Sequence, residues 1–107
     1  MMDIDALLAE ARGKATNYGQ MFAAKEVADD RLKTIFAIVR EDAPDGSVPD
    51  MDAWVRRQPR YIEAIEAKRD AYAKWKAAET YMKLLFAEAE IWRTKSANDR
   101  LMDKAHR

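Results

Sequence analysis

The sequence predicts an all-α protein: a long antiparallel helical hairpin with a short kinked middle helix, assembling into a dimeric helical bundle or coiled coil. Three observations predict it. Apolar residues recur at alternating steps of four and three over most of the chain, which is the spacing of a helical seam. All three prolines fall between positions 44 and 59, so the helix breakers are confined to one place. The composition combines 49% hydrophobic with 36% charged residues and only three glycines. That balance, rich in Ala, Glu, Lys, Arg and Met, is the composition of long helices. The 107 residues fit one domain, taken as residues 1–107.

The first helix is expected over about residues 3–41. Ile4, Leu8, Ala11, Ala15, Tyr18, Phe22, Lys25, Asp29, Leu32, Phe36 and Val39 form its seam, interrupted at Lys25 and Asp29. Leu7, Met21 and Ile35 widen the stripe. Asp3 or Asp5 caps the start and opposes the helix dipole there. Gly13 and Gly19 sit inside the pattern at a cost of about 1 kcal/mol each against alanine. They mark either weak points or a close approach by a partner helix.

The turn and short middle helix occupy residues 42–58. Pro44, Gly46 and Pro49 end the first helix, and Pro-Asp-Gly is turn chemistry. Ser47 followed by Asp50 resembles a capping box, opening a short helix from about Val48 to Gln58 with Trp54 and Val55 inward.

The last helix is expected over residues 59–105. Pro59 suits a first helical position. No proline or glycine follows it. Ile62, Ile65, Tyr72, Trp75, Met82, Leu85, Phe86, Ala89 and Trp92 lie on one broad face, with Arg69 and Glu79 filling two of its turns. Glu79, between Trp75 and Met82, reads as a register-setting polar residue facing Lys25 or Arg69.

Two helices carry more apolar stripe than they can cover on each other. The candidate oligomer seam is Tyr18, Phe22, Phe36, Tyr72, Trp75, Met82 and Phe86. A dimeric four-helix bundle is the first expectation, and a trimer or tetramer of hairpins the second.

Catalytic and metal chemistry lack the residues they need. There is no cysteine, which removes a disulfide framework and a thiolate zinc site. The single histidine is His106, and no Glu-x-x-His pair accompanies it. The Asp-x-Asp pairs, Asp3 with Asp5 and Asp50 with Asp52, fall at helix starts, where acids are expected. Glu88 and Glu90, two apart, do not share a helix face. No glycine-rich phosphate loop occurs. The expectation is a protein that is not an enzyme and takes no cofactor.

The formal net charge is zero, from 19 basic and 19 acidic residues. A zero total speaks against a histone-like binder and against an acidic nucleic-acid mimic. The distribution is uneven: −1 over residues 1–41, −4 over 42–53 and +5 over 54–107. Trp92, Arg93, Lys95, Arg100 and Lys104 are the candidate residues for contact with a partner or with nucleic acid. Arg56, Arg57 and Arg60 make a second basic cluster. Cations near a helix C-terminus are also what the helix dipole favours. A protein partner is therefore the favoured reading, with weak nucleic-acid binding as the alternative.

No apolar run approaches the roughly 20 residues needed to span a bilayer. The polar faces mix both signs, unlike a membrane-surface helix. The first residues lack the cationic start of a secretory signal. The expected location is cytoplasmic.

One resemblance adds context. Pro59 and Tyr61 follow a charged stretch, and Trp92, Arg93 and Thr94, with Ala97 and Arg100, close the long helix. In these features the segment from about Ser47 to Arg100 resembles small helical early-region proteins of temperate tailed phages and prophages. That resemblance implies a setting in phage DNA metabolism or host takeover, in the host cytoplasm, and no particular activity.

Overall fold

The structure, a computed structural model, describes residues 3–105. Three helices follow one another: α1 (Ile4–Arg40), α2 (Val48–Arg56) and α3 (Pro59–Ala105). No strand occurs among the described residues. The long helices α1 and α3 pack as an antiparallel hairpin.

Each boundary has a local cause. Asp3 accepts hydrogen bonds at its Oδ1 from the backbone N–H groups of Asp5 (2.7 Å) and Ala6 (3.1 Å), so Asp3 is the cap of α1. At the other end, Glu41, Asp42 and Ala43 donate to carbonyls three residues back, which tightens the last turn. Pro44 then bars continuation. Ser47 is extended and its Oγ accepts from Asp50 N–H at 3.3 Å, capping α2. Pro49 sits in the first turn of α2, where a missing N–H costs nothing.

Helix α2 stops at Arg56, two residues earlier than expected. Arg57 and Gln58 donate to Trp54 and Val55 at i−3 spacing, and the Gln58 side chain donates to the Trp54 carbonyl at 2.9 Å. Pro59 disfavours helical backbone at Gln58, yet opens α3 itself. The first bond of α3 runs from Ile62 N–H to the Gln58 carbonyl.

The chain divides into two compact units: Met1–Tyr18 with Ala77–Arg107, and Gly19–Lys76. In the Gly19–Lys76 unit, Val55 of α2 is fully buried against Ile35, Val39 and Ala64, with Leu32, Phe36, Trp54 and Tyr61 around them. The Phe36 and Tyr61 rings meet edge to face, centroids 5.9 Å apart. Arg40 Nε and Asp52 Oδ1, 3.0 Å apart, tie the end of α1 to α2.

In the other unit the buried residues are Leu7, Ala78 and Leu85. The Tyr81 hydroxyl donates to the Glu10 carboxylate. The Lys14 ammonium sits over the Tyr81 ring, 4.9 Å from its centroid.

Candidate interaction surface

Burial fixes which edge of each apolar stripe faces the other helix. On α1 the buried or half-buried positions include Leu7, Ala11, Tyr18, Met21, Lys25, Ala28, Leu32, Ile35 and Val39. On α3 they include Tyr61, Ala64, Lys68, Ala71, Trp75, Ala78, Met82, Leu85, Ala89 and Trp92. Both sets alternate steps of three and four, as positions a and d of a heptad.

This rotates the expected seam of α1. Leu7, Met21, Ala28 and Ile35 take the inner line, while Leu8, Ala15 and Phe22 stand on the exposed flank. On α3 the inner d line opens with Ala64, Ala71 and Ala78, so Ile62 and Tyr72 fall outside it. The cause is side-chain size. A line of alanines lets the α1 backbone come close, whereas a line of Tyr72 and Phe86 would hold it away.

The seam candidates therefore divide. Tyr18, Phe36, Trp75 and Met82 are half-buried within the hairpin. Phe22, Tyr72 and Phe86 are 44%, 49% and 62% exposed, and Leu8 is 44% exposed. Within the Gly19–Lys76 unit Phe22 and Tyr72, and within the other unit Leu8 and Phe86, occupy heptad position e, which follows a by four residues on both helices. In an antiparallel pair the two e rows border the same side of the seam. The row across the seam, position g, is mainly polar: Glu10, Asn17 and Arg31 on α1, and Arg60, Lys74, Tyr81 and Glu88 on α3. Stripes at a, d and e describe helices that pack on more than one neighbour.

Within the Gly19–Lys76 unit the exposed flank is an aromatic group. Phe22 meets Trp75 edge to face with centroids 6.3 Å apart, and Tyr72 meets Trp75 at 5.4 Å. Lys25 enters from the seam. Its Nζ lies 5.0 Å from the Phe22 centroid, 4.9 Å from that of Trp75, and 2.7 Å from Glu26 Oε1. The bond to Glu26 holds the Lys25 pKa above the ordinary lysine value, against a smaller opposing effect of desolvation. One turn further, Lys68 Nζ and Asp29 Oδ1 pair at 2.9 Å, and this bond lowers the Asp29 pKa. The charges inside the seam are thus neutralised within the chain.

The Met1–Tyr18 and Ala77–Arg107 unit carries a depression of about 220 Å³ lined by Tyr18, Glu79, Met82, Lys83 and Phe86. Glu79 pairs with Lys83 one turn on, at 3.3 Å. The expected partner is Lys25 or Arg69; Lys25 pairs with Glu26 at 2.7 Å. The hydrogen bond to Glu10 is the main influence raising the Tyr81 pKa above the ordinary tyrosine value.

The C-terminal cations do not form one cluster. Seven and eleven residues bring a helix round to within about 20° of its starting direction, so Arg93, Arg100 and Lys104 form one row. Lys95, two residues from Arg93, lies on the opposite side. Trp92 is half-buried at the end of the seam, and residues 97–105 are exposed throughout. Arg93 Nη1 pairs with Glu90 Oε1 at 3.2 Å. His106, the one candidate metal-ligating histidine, lies outside the described residues.

Sequence reasoning missed three tertiary pairs: Arg40 with Asp52, Lys68 with Asp29, and Tyr81 with Glu10. Each joins groups 12 to 71 residues apart, and local spacing carries no signal for them.

The accessible surface is 8131 Å². A folded monomer of 12.3 kDa is expected to expose about 6,100 Å², so the chain leaves about 2,000 Å² more in contact with solvent. No helix among the described residues is long and apolar enough to cross a membrane. No family model matches the chain, and neither a curated protein nor a solved structure matches it.

Proposed function

We propose that the chain is a non-catalytic helical interaction protein that self-associates, with a dimer as the first state. The observation that carries this reading is that Phe22 and Tyr72, large apolar side chains beside Trp75 in the Gly19–Lys76 unit, are left exposed. Large apolar side chains at regular spacing on one side of a helix pair are what bundle formation covers. The excess of about 2,000 Å² of surface is of the size that each protomer of an obligate homodimer buries, about 1,000–2,500 Å².

The reading extends to an accessory factor or inhibitor in phage or prophage DNA recombination or host interaction, in the host cytoplasm, and the resemblance of the segment from about Ser47 to Arg100 to phage early-region proteins is what supports that setting. Light scattering across a concentration series tests the self-association. A dimer mass supports it, and a monomer mass at every concentration overturns it.

A second reading has its own observation. Arg93, Arg100 and Lys104 share one exposed row of α3, close to Trp92. Such a row suits a phosphate backbone, with affinity falling steeply as salt rises. A shift of single- or double-stranded DNA at low salt, lost on reversal of these three charges, supports it. No shift at low salt removes it.

A further inference from the structure

The self-association proposed above leaves open which surface meets the second copy and in which orientation. We infer that the second copy docks on the Phe22–Tyr72–Trp75 flank about a twofold axis parallel to the helices, setting α1 of each copy against α3 of the other.

The choice of flank follows from polarity. In the Gly19–Lys76 unit this side of the seam presents exposed rings, while the opposite side presents Arg31, Arg60 and Lys74 with one acid, Glu63, and one large apolar side chain, Ile38, among them. Two copies meeting through the basic side would bring like charges together. On the aromatic side, Lys25 is held by Glu26 and Lys68 by Asp29, Lys76 lies over the Trp75 ring at 5.5 Å, and Arg69 is the cation that the second copy must meet. An isologous contact needs one self-complementary patch, and interlocking rings supply one.

The orientation follows from the rim. Two cross-helix contacts set the levels: Asp29 with Lys68 at 2.9 Å, and Phe22 with Trp75 at 6.3 Å. Glu26 lies between Phe22 and Asp29 on α1, and Arg69 lies between Lys68 and Trp75 on α3. By these contacts Glu26 is level with Ala71, and Arg69 is two residues, about 3 Å, from that level, within the reach of two long side chains. Glu26 is one turn from Phe22 and Arg69 one turn from Tyr72, so both stand on the outer margin of the aromatic row.

A twofold parallel to the helices preserves level and exchanges α1 with α3. It brings each Glu26 opposite Arg69 of the second copy, twice per dimer. Glu26 binds Lys25 through Oε1, and its other oxygen faces no such demand from that bond. A twofold perpendicular to the helices would stack α1 on α1 and α3 on α3, turning Glu26 toward the acidic margin and Arg69 toward the basic margin of the second copy. Charge complementarity selects the first arrangement.

Charge exchange between separate chains tests this. Glu26→Arg and Arg69→Glu are each made in the full chain, and self-association is measured by sedimentation equilibrium for each alone and for an equimolar mixture. Two like-charge contacts replace two favourable ones in each variant alone, weakening association about three- to tenfold. In the mixture both contacts become favourable again, and association is tighter than for either variant alone, short of the unmodified value by what the lost Lys25–Glu26 bond costs. Tyr72→Glu, at an exposed ring, weakens association by at least as much.

A mixture no tighter than its components overturns the orientation. Association untouched by Tyr72→Glu overturns the choice of flank, while self-association itself stands. An unmodified chain that never associates overturns both this inference and the reading beneath it.

Discussion

Phe22 and Trp75 meet edge to face across the two long helices, yet Trp75 is held in the seam and Phe22 is nearly half exposed. One contact thus joins the inner line of the hairpin to its apolar flank. The first line accounts for the packing of the hairpin, and the second is the surface on which the proposed self-association rests.

Substitution at the two lines should separate these roles. Val55→Ala removes two methyl groups from a side chain with no exposure and should cost about 2 kcal/mol in urea unfolding. Tyr72→Ser, on the flank, should change the unfolding midpoint of dilute protein by less than half as much.

The cap of α2 is a separate local term. Ser47→Ala removes the acceptor for Asp50 N–H and should cost about 1 kcal/mol. Ser47→Asp should restore most of it. Urea melts of the two variants measure the difference.

Gly13 lies in the interior of α1, and a Cβ added there meets nothing within 4 Å. Gly13→Ala should therefore stabilise the chain by about 1 kcal/mol. Thermal unfolding followed by circular dichroism would show an upward shift. A loss of stability would reveal that another molecule packs closely over that position.

Ionisation gives two limbs of pH dependence. The Asp29 pKa is lowered by Lys68, so the stability from this pair is present above the ordinary aspartate value. It is lost as pH falls through the folded value, below about pH 4. The Tyr81 and Lys25 values are raised by Glu10 and Glu26. Their contributions are present below the ordinary values and are lost as pH rises through the folded ones, above about pH 10. Asp29→Asn should flatten the acid limb and leave the alkaline one, as read from melting temperature against pH.

How much of this was legible in the sequence depends on the kind of signal. Pro44, Pro59 and the Ser47–Asp50 pair act on their immediate neighbours, so the boundaries of all three helices came within about two residues. The two-sided burial was legible only in part. Leu7 and Leu8 stand 100° apart on a stripe wide enough to include both, and spacing alone does not say which one faces α3. The alanines at 64, 71 and 78 decide it, through how closely a neighbouring helix can approach. The candidate surface was legible as a set of aromatic residues but not as a side. Phe22, Tyr72 and Phe86 separate from Tyr18, Phe36, Trp75 and Met82 only once the packing edge is known. Lys95 was grouped with Arg93 by proximity in sequence, although two residues on a helix point to opposite sides.

The central claim is that the exposed e rows are covered by another copy of the chain. Sedimentation equilibrium of the unmodified protein, from low to high micromolar concentration, tests it most directly. The account predicts a mass moving toward twice 12.3 kDa as concentration rises. A mass that stays at 12.3 kDa throughout would contradict it.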